Sequence, residues 1–171
     1  FLDRDGVIIE NVDTYVRSWA DVVFLPGALE ALARLAGLPY KVVVVTNQSA
    51  VGRGIITRTE AETISTRVLD VIRAAGGRVD GVYLCPHSPQ DACGCRKPKP
   101  GLLLQAAVDL PIDLKGSIMI GDALSDLEAG KRAGISDRIL LRTGRGNDQM
   151  KLAESDQHKP FRGFDSLLHA A

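Results

Sequence analysis

The sequence predicts an α/β fold built on a parallel sheet flanked by helices, and three observations carry that expectation. Apolar strand-like runs alternate with helix-like runs along the chain, the pattern of successive β–α units. Residues 42–45 are all valine, so both alternating faces are apolar and β-branched, as a strand covered on two sides requires. Polar clusters directly follow the apolar runs, at Asp3 and Asp5, at Thr46 to Ser49, at Cys85 and His87, and at Gly121 and Asp122. In such a sheet the carboxyl ends of the strands share one rim, and ligands bind in the crevice there.

Strands are expected at residues 1–3, 40–46, 79–85, 117–120 and 138–142. Between the first two, Leu29, Leu32, Leu35 and Ala36 recur at helical spacing after Pro26-Gly27, which predicts a helix over Ala28–Ala36. Thr57 and Glu60 read as a capping box opening a long helix that stops at Gly76-Gly77. Its buried stripe is expected to hold Ile64, Val68, Val71 and Ile72. Shorter helices are expected at 101–110 and at 126–133, the second stopped by Gly134. The tail after Gly144 is polar, with one terminal helix expected at 164–170 and with His158 and His169 exposed. Tyr15 and Trp19 are expected to pack a small flap behind the first polar cluster.

The 171 residues suit one domain over 1–171 with a small accessory element. Basic and acidic residues balance at 21 each, which argues against bulk nucleic-acid binding through a basic surface. No apolar run approaches the roughly 20 residues of a membrane span, and the chain opens on its first polar cluster without a signal-peptide pattern. A monomeric cytoplasmic protein is the expectation. The three cysteines all lie between positions 85 and 95. That odd, clustered count argues for a metal loop in a reducing compartment and against a disulfide framework. Cys85, His87, Cys93 and Cys95 offer three thiolates and an imidazole, a donor set suited to tetrahedral zinc with every position filled by protein, hence structural Zn2+. The loop runs straight into Arg96 and Lys97, so closing it around an ion would fix where those two cations point.

Asp3 and Asp5 lie two residues apart. A strand that continued through Asp5 would aim both carboxylates at one site, and Gly6 would let the chain turn away beneath it. Two acids at one point repel unless a cation or a shared proton intervenes.

In order, Asp3-x-Asp5-Gly6, Thr46-Asn47-Gln48, Lys97-Pro98-Lys99-Pro100 and Gly121-Asp122-x-x-x-Asp126 resemble the four motifs of the haloacid dehalogenase-like (HAD-like) phosphohydrolases, across nearly the whole chain. Asn47-Gln48-Ser49 through Arg53-Gly54, the cysteine loop, and Cys95-Arg96-Lys97-Pro98 with Pro100-Gly101 narrow the resemblance to the D-glycero-D-manno-heptose-1,7-bisphosphate 7-phosphatase family. The resemblance implies a doubly wound Rossmann-like sheet without a large cap domain, a small zinc-binding loop at 85–95, and phosphatase action on a small phosphosugar in bacterial heptose (lipopolysaccharide) precursor synthesis. It implies Mg2+ held by the Asp3 carboxylate, the Asp5 backbone carbonyl and the Asp122 carboxylate. Asp3 would be the nucleophile, and Asp5 the general acid and then the base. Thr46 and Lys97 would stabilise the phosphoryl group. Arg4, Asn11, Tyr15, Asn47, Gln48, Ser49 and Arg96 would contact substrate. Asp126 would orient the site, Lys99 would be a solvated charge, and Asp122 could also cap a helix. An aspartate, with a free pKa of about 3.9, needs no base to attack, and a divalent cation with a lysine offsets its repulsion from phosphate. Histidinol-phosphate phosphatase shares the scaffold and a similar zinc loop and is the nearest alternative. A non-catalytic phosphosugar-binding module has no need of both acids.

Overall fold

The computed structural model describes residues 1–153 and 160–171. His158 therefore lies outside the described residues, while His169 is exposed. The strands are β1 (Val43–Asn47), β2 (Gly81–Cys85), β3 (Ile118–Gly121), β4 (Asp137–Leu141) and β5 (Arg162–Phe164). The helices are α1 (Ala28–Ala36), α2 (Ser49–Gly52), α3 (Arg58–Ala74), α4 (Gly101–Asp109), α5 (Leu124–Arg132), α6 (Gly146–Ala153) and α7 (Leu167–Ala170).

Two parallel ladders, β1–β2 and β3–β4–β5, are joined by the start of the chain. The Leu2 N–H donates to Val43 O and its carbonyl accepts from Val45 N, both at 2.8 Å. On the other flank Asp3 N donates to Ile120 O at 3.0 Å and Ile120 N to Phe1 O at 2.8 Å. Residues 1–3 thus occupy the centre of the sheet, between β1 and β3. Valine alternation then does what period-2 geometry demands. Val44 packs with Leu32, Ile64, Val68 and Ile72 from α1 and α3, whereas Val43 and Val45 pack with Leu102, Leu103 and Ala106 from α4. Helices cover both faces, so the sheet is doubly wound. Each fully buried aliphatic side chain contributes about 1.5–3 kcal/mol, and both faces of β1 collect that stabilisation.

Helix α1 has the expected bounds, and α3 opens on the expected capping box, with Thr57 and Glu60 exchanging hydrogen bonds. Its buried stripe is Ala61, Ile64, Ser65, Val68 and Ile72, and Val71 is only half-buried. At about 100° per residue, Val71 is rotated farther from Val68 than Ile72 is, so the core closes over Ile72. Phe164 belongs to a strand: β5 pairs parallel with β4, placing Phe164 against Leu141. Of the helix expected at 164–170 only Leu167–Ala170 is helical, and the tail also carries α6 (Gly146–Ala153), which was not expected. Trp19 leans on the core and receives the Arg67 guanidinium over its ring at 4.4 Å. None of the described helices is long and apolar enough to cross a membrane.

Candidate active site and metal loop

The strand ends converge on a cleft of about 500 Å³ bordered by Asp3, Asp5, Asn11, Tyr15, Asn47, Gln48, Ser49, Arg96 and Lys97. Asp3 and Asp5 reach it by a turn, in contrast to the expected strand alternation. Strand pairing stops at Asp3, and Asp5 forms an isolated bridge with Ile9. Gly6 makes the turn with a φ of +85°, and a Cβ there would overlap the Asp122 carboxylate. The glycine is therefore needed both for its left-handed backbone and for close approach.

Beneath the cleft, carboxylate oxygens of Asp3, Asp122 and Asp126 all lie within 4.8 Å of one another. Lys97 enters this cluster with only 1 % of its side chain exposed, 3.0 Å from Asp3 Oδ1 and 2.7 Å from Asp126 Oδ1. Its ammonium also donates to Val45 O at 2.7 Å. Burial opposes the lysine charge, but Asp126 and Asp3 outweigh it and hold its pKa above the ordinary lysine value. One ammonium does not balance three buried carboxylates. Burial pushes Asp3 up to about 7, against the pull of Lys97 and with the push of Asp126 and Asp122. Burial, reinforced by Asp126, pushes Asp122 up to about 6. Among the described residues Asp122 Oδ1 is buried without a hydrogen-bond partner, while its Oδ2 accepts from Arg145 N at 2.8 Å. An orphaned buried carboxylate oxygen among crowded acids is what a hard divalent cation satisfies. The residues present thus fit Mg2+.

Asp3 Oδ1 also accepts from the Arg4 N–H at 2.7 Å, leaving Oδ2 as the oxygen of Asp3 that carries no hydrogen bond among the described residues. Asp5 is oriented from two sides. Arg4 donates from Nε to Oδ1 at 3.0 Å and from Nη2 to Oδ2 at 3.1 Å, and Gln48 Nε2 donates to Oδ2 at 2.8 Å. Ser49 Oγ accepts from Arg96 Nη1 at 2.6 Å, and that same nitrogen donates to His87 O at 3.4 Å.

The cysteine–histidine loop brings its four side chains together as a group that could hold a metal ion. Cys85 Sγ lies 3.6 Å from His87 Nδ1, 3.6 Å from Cys93 Sγ and 3.2 Å from Cys95 Sγ. Cys95 Sγ lies 3.4 Å from Cys93 Sγ and 3.3 Å from His87 Nδ1. These separations are close to the edges of a tetrahedron built on Zn–S bonds of about 2.3 Å.

The chain resembles proteins of known activity along most of its length. A family model described as HAD-hydrolase-like matches residues 94–170. The D-glycero-beta-D-manno-heptose-1,7-bisphosphate 7-phosphatase of Bordetella bronchiseptica is 40% identical over 145 residues, 85% of this chain and 80% of that protein. The enzyme of the same name from Escherichia coli K12 is 40% identical over 153 residues, 85% of this chain and 79% of its own. The chain belongs to this phosphatase family. A crystal structure of the B. bronchiseptica D,D-heptose 1,7-bisphosphate phosphatase, complexed with magnesium and phosphate, superposes with a TM-score of 0.91 at 36% identity, covering 99% of this chain and 93% of that one. A putative HAD-like phosphatase from Mesorhizobium loti superposes at 0.73 and 39% identity, over 82% of this chain and 70% of that one. The protein is accordingly a HAD-like phosphatase.

For this family member several sequence assignments shift. Arg4 is 2 % exposed, and its guanidinium is spent on Asp5 and, at 3.3 Å, on Ser65 Oγ of α3. It stands behind Asp5 and does not border the cleft. Thr46 is fully buried, its Oγ1 accepting from Gln48 Nε2 at 2.8 Å, and it too lies behind the cleft wall. Asp122 does not cap α5; Asp126 does, accepting from Ala123 N at 3.1 Å. Lys99 is exposed but not merely solvated, since its ammonium donates to the carbonyls of Ala92 and Cys93 at 2.6 and 2.7 Å and braces the metal loop. Arg53 and Arg145 border the cleft without having been expected there. Arg145 was open to discovery: it follows β4, and a polar cluster after an apolar strand is the same signal that marked the other strand ends.

Proposed function

We propose that this phosphatase removes the 7-phosphate of D-glycero-D-manno-heptose 1,7-bisphosphate through an aspartyl-phosphate on Asp3. The observation that carries the reading is the Asp3–Lys97–Asp122–Asp126 cluster at the floor of a cleft walled by Arg96. It supplies a nucleophile, a fixed cation and a divalent-ion site at one point, which phosphoryl transfer needs and sugar binding alone does not. The names of the curated relatives supply the sugar.

Mg2+ would be held by the Asp3 and Asp122 carboxylates and the Asp5 backbone carbonyl, an oxygen that accepts no hydrogen bond among the described residues. When bound it neutralises charge on the phosphoryl oxygens and draws the anion toward the carboxylate. Lys97 offers its ammonium to the same oxygens, and the Thr46 hydroxyl lies just behind. Asp3 attacks phosphorus through the oxygen left free of hydrogen bonds. The bond to the sugar oxygen breaks, and Asp5 gives that oxygen its proton. Asp5 then accepts a proton from water, whose oxygen attacks phosphorus and breaks the bond to Asp3, releasing inorganic phosphate. Arg4 and Gln48 hold Asp5 in one orientation for both half-reactions. Asn11, Tyr15, Ser49 and Arg96 line the path that the sugar takes. The cysteine–histidine loop holds structural Zn2+, and the enzyme works as a cytoplasmic monomer in heptose precursor synthesis.

The test is kcat/KM on heptose 1,7-bisphosphate, histidinol phosphate and a 3′-phosphorylated oligonucleotide, with Asp3→Asn alongside. The bisphosphate is expected to lead by about 100-fold or more, and the variant to be inactive. Preference for histidinol phosphate would overturn the substrate, and wild-type turnover by Asp3→Asn would overturn the nucleophile.

A further inference from the structure

Among the described residues, Arg53, Arg96, Lys97 and Arg145 border the cleft. Lys97 is matched by Asp3 and Asp126. Arg96 is held by Ser49 and the His87 carbonyl. Arg53 is exposed at the end of α2. Arg145 differs from all three, because a rigid backbone carries a loosely held charge. Its N–H donates to Asp122 at 2.8 Å. Thr143 Oγ1 ties the same loop to Gly6 O at 2.6 Å, and Gly146 N closes it on Thr143 O at 2.8 Å. Yet the side chain is 56 % exposed, with Nε 3.7 Å from Asp122 Oδ2, outside hydrogen-bond distance.

The loop of Arg145 follows β4, whereas Arg96 follows β2 and its metal loop. The central strand at residues 1–3 separates those two halves of the sheet. The two guanidiniums therefore approach the cleft from opposite sides of the nucleophile. A substrate with two phosphates places one on Asp3 and Lys97 and must leave the other farther out, where neither reaches. We infer that Arg145 is a specificity-determining residue that grips the retained phosphate, opposite Arg96. The inference rests on the bisphosphate reading above. A guanidinium suits the task because its planar donors pair two phosphate oxygens at once.

The probe is the sugar 1-phosphate, which carries only the retained group. Its binding is measured by calorimetry with Mg2+ present, for wild type, Arg145→Gln, Arg145→Lys and Arg53→Gln. Arg145→Gln is expected to raise Kd by about 10- to 100-fold, the range of charge-assisted hydrogen bonds. Arg145→Lys should recover part of the loss, and Arg53→Gln should change Kd less than about threefold. Mg2+ affinity should not fall in Arg145→Gln, since the hydrogen bond to Asp122 comes from the backbone N–H and the side chain adds only an ion pair at 3.7 Å, whose loss does not weaken cation binding. Wild-type Kd in Arg145→Gln, an equal loss in Arg53→Gln, or collapse of Mg2+ affinity would each overturn the assignment. Turnover separates the two readings. If wild type hydrolyses the bisphosphate and the matching 7-monophosphate equally well, the bisphosphate reading falls and takes this inference with it. If wild type prefers the bisphosphate and Arg145→Gln keeps that preference, only the inference falls.

Discussion

Asn47 clasps the backbone of Lys97 with both ends of its side-chain amide. Nδ2 donates to the Lys97 carbonyl and Oδ1 accepts from the Lys97 N–H, each at 3.1 Å. The residue expected to touch substrate thus also anchors the ammonium that faces Asp3. The link crosses 50 positions of sequence and ties the end of β1 to the residue that leaves the cysteine–histidine loop.

Asn47→Ala removes both hydrogen bonds and leaves the Lys97 peptide groups without them. Each such loss costs about 1 kcal/mol or more, so stability should fall by about 2 kcal/mol. Displacement of Lys97 should lower kcat more than it raises KM. Urea unfolding together with steady-state kinetics checks this; a change in KM alone would assign Asn47 to substrate contact only.

Gly6→Ala should be among the most damaging single-methyl changes in the chain. The new Cβ meets the Asp122 carboxylate, and the φ of +85° is strained for any L side chain. A loss of about 3 kcal/mol is expected, or roughly 5–10 °C in Tm for a domain of this size, with weakened Mg2+ binding. Calorimetric melting with and without Mg2+ measures both.

Mg2+ affinity should climb with pH. Burial raises Asp3 to about 7 and Asp122 to about 6 without a cation. An acid whose folded pKa exceeds its unfolded value stabilises the cation-free fold below about pH 4, and that contribution is lost as pH rises to about 7. A cation binds the ionised carboxylates, so its affinity moves the other way. Kd should fall between pH 5 and 7, by up to about tenfold per unit for each proton displaced, and level off above. Added Mg2+ should raise Tm more at pH 8 than at pH 5.5. A Kd independent of pH would contradict the crowded-acid account.

Cys93→Ser should lower zinc content and Tm together, because it removes one corner of a closed four-donor site. It should also reduce turnover, since the loop carries Arg96 and Lys97 and its carbonyls anchor Lys99. Metal analysis of the purified variant decides the point, and full zinc retention would rule out the fourth donor.

Much of this molecule was readable before any coordinates. The valine run at 42–45 announced a strand covered on both faces, since the hydrophobic period needs no knowledge of neighbours. The capping box of α3 was equally local. Cys85, His87, Cys93 and Cys95 lie within eleven residues, so short-range geometry brings the donors together. Other features depended on long-range contact. Arg4 was assigned to substrate through the family resemblance of the first motif, but Ser65, far along the chain, gives its guanidinium a buried partner. Lys99 read as a free charge because its carbonyl partners lie across a loop that only closure brings near. The tail after Gly144 lacked a pattern because β5 is three residues long and owes its existence to pairing with β4.

Residue types and their spacing were enough to name the chemistry, because carboxylates, thiolates and an ammonium keep their reactivity wherever the chain carries them. Folding alone could say which of them face solvent, which face each other and which stand behind the wall. Burial and distance set those relationships, through desolvation and charge pairing between strands that no local window of sequence contains.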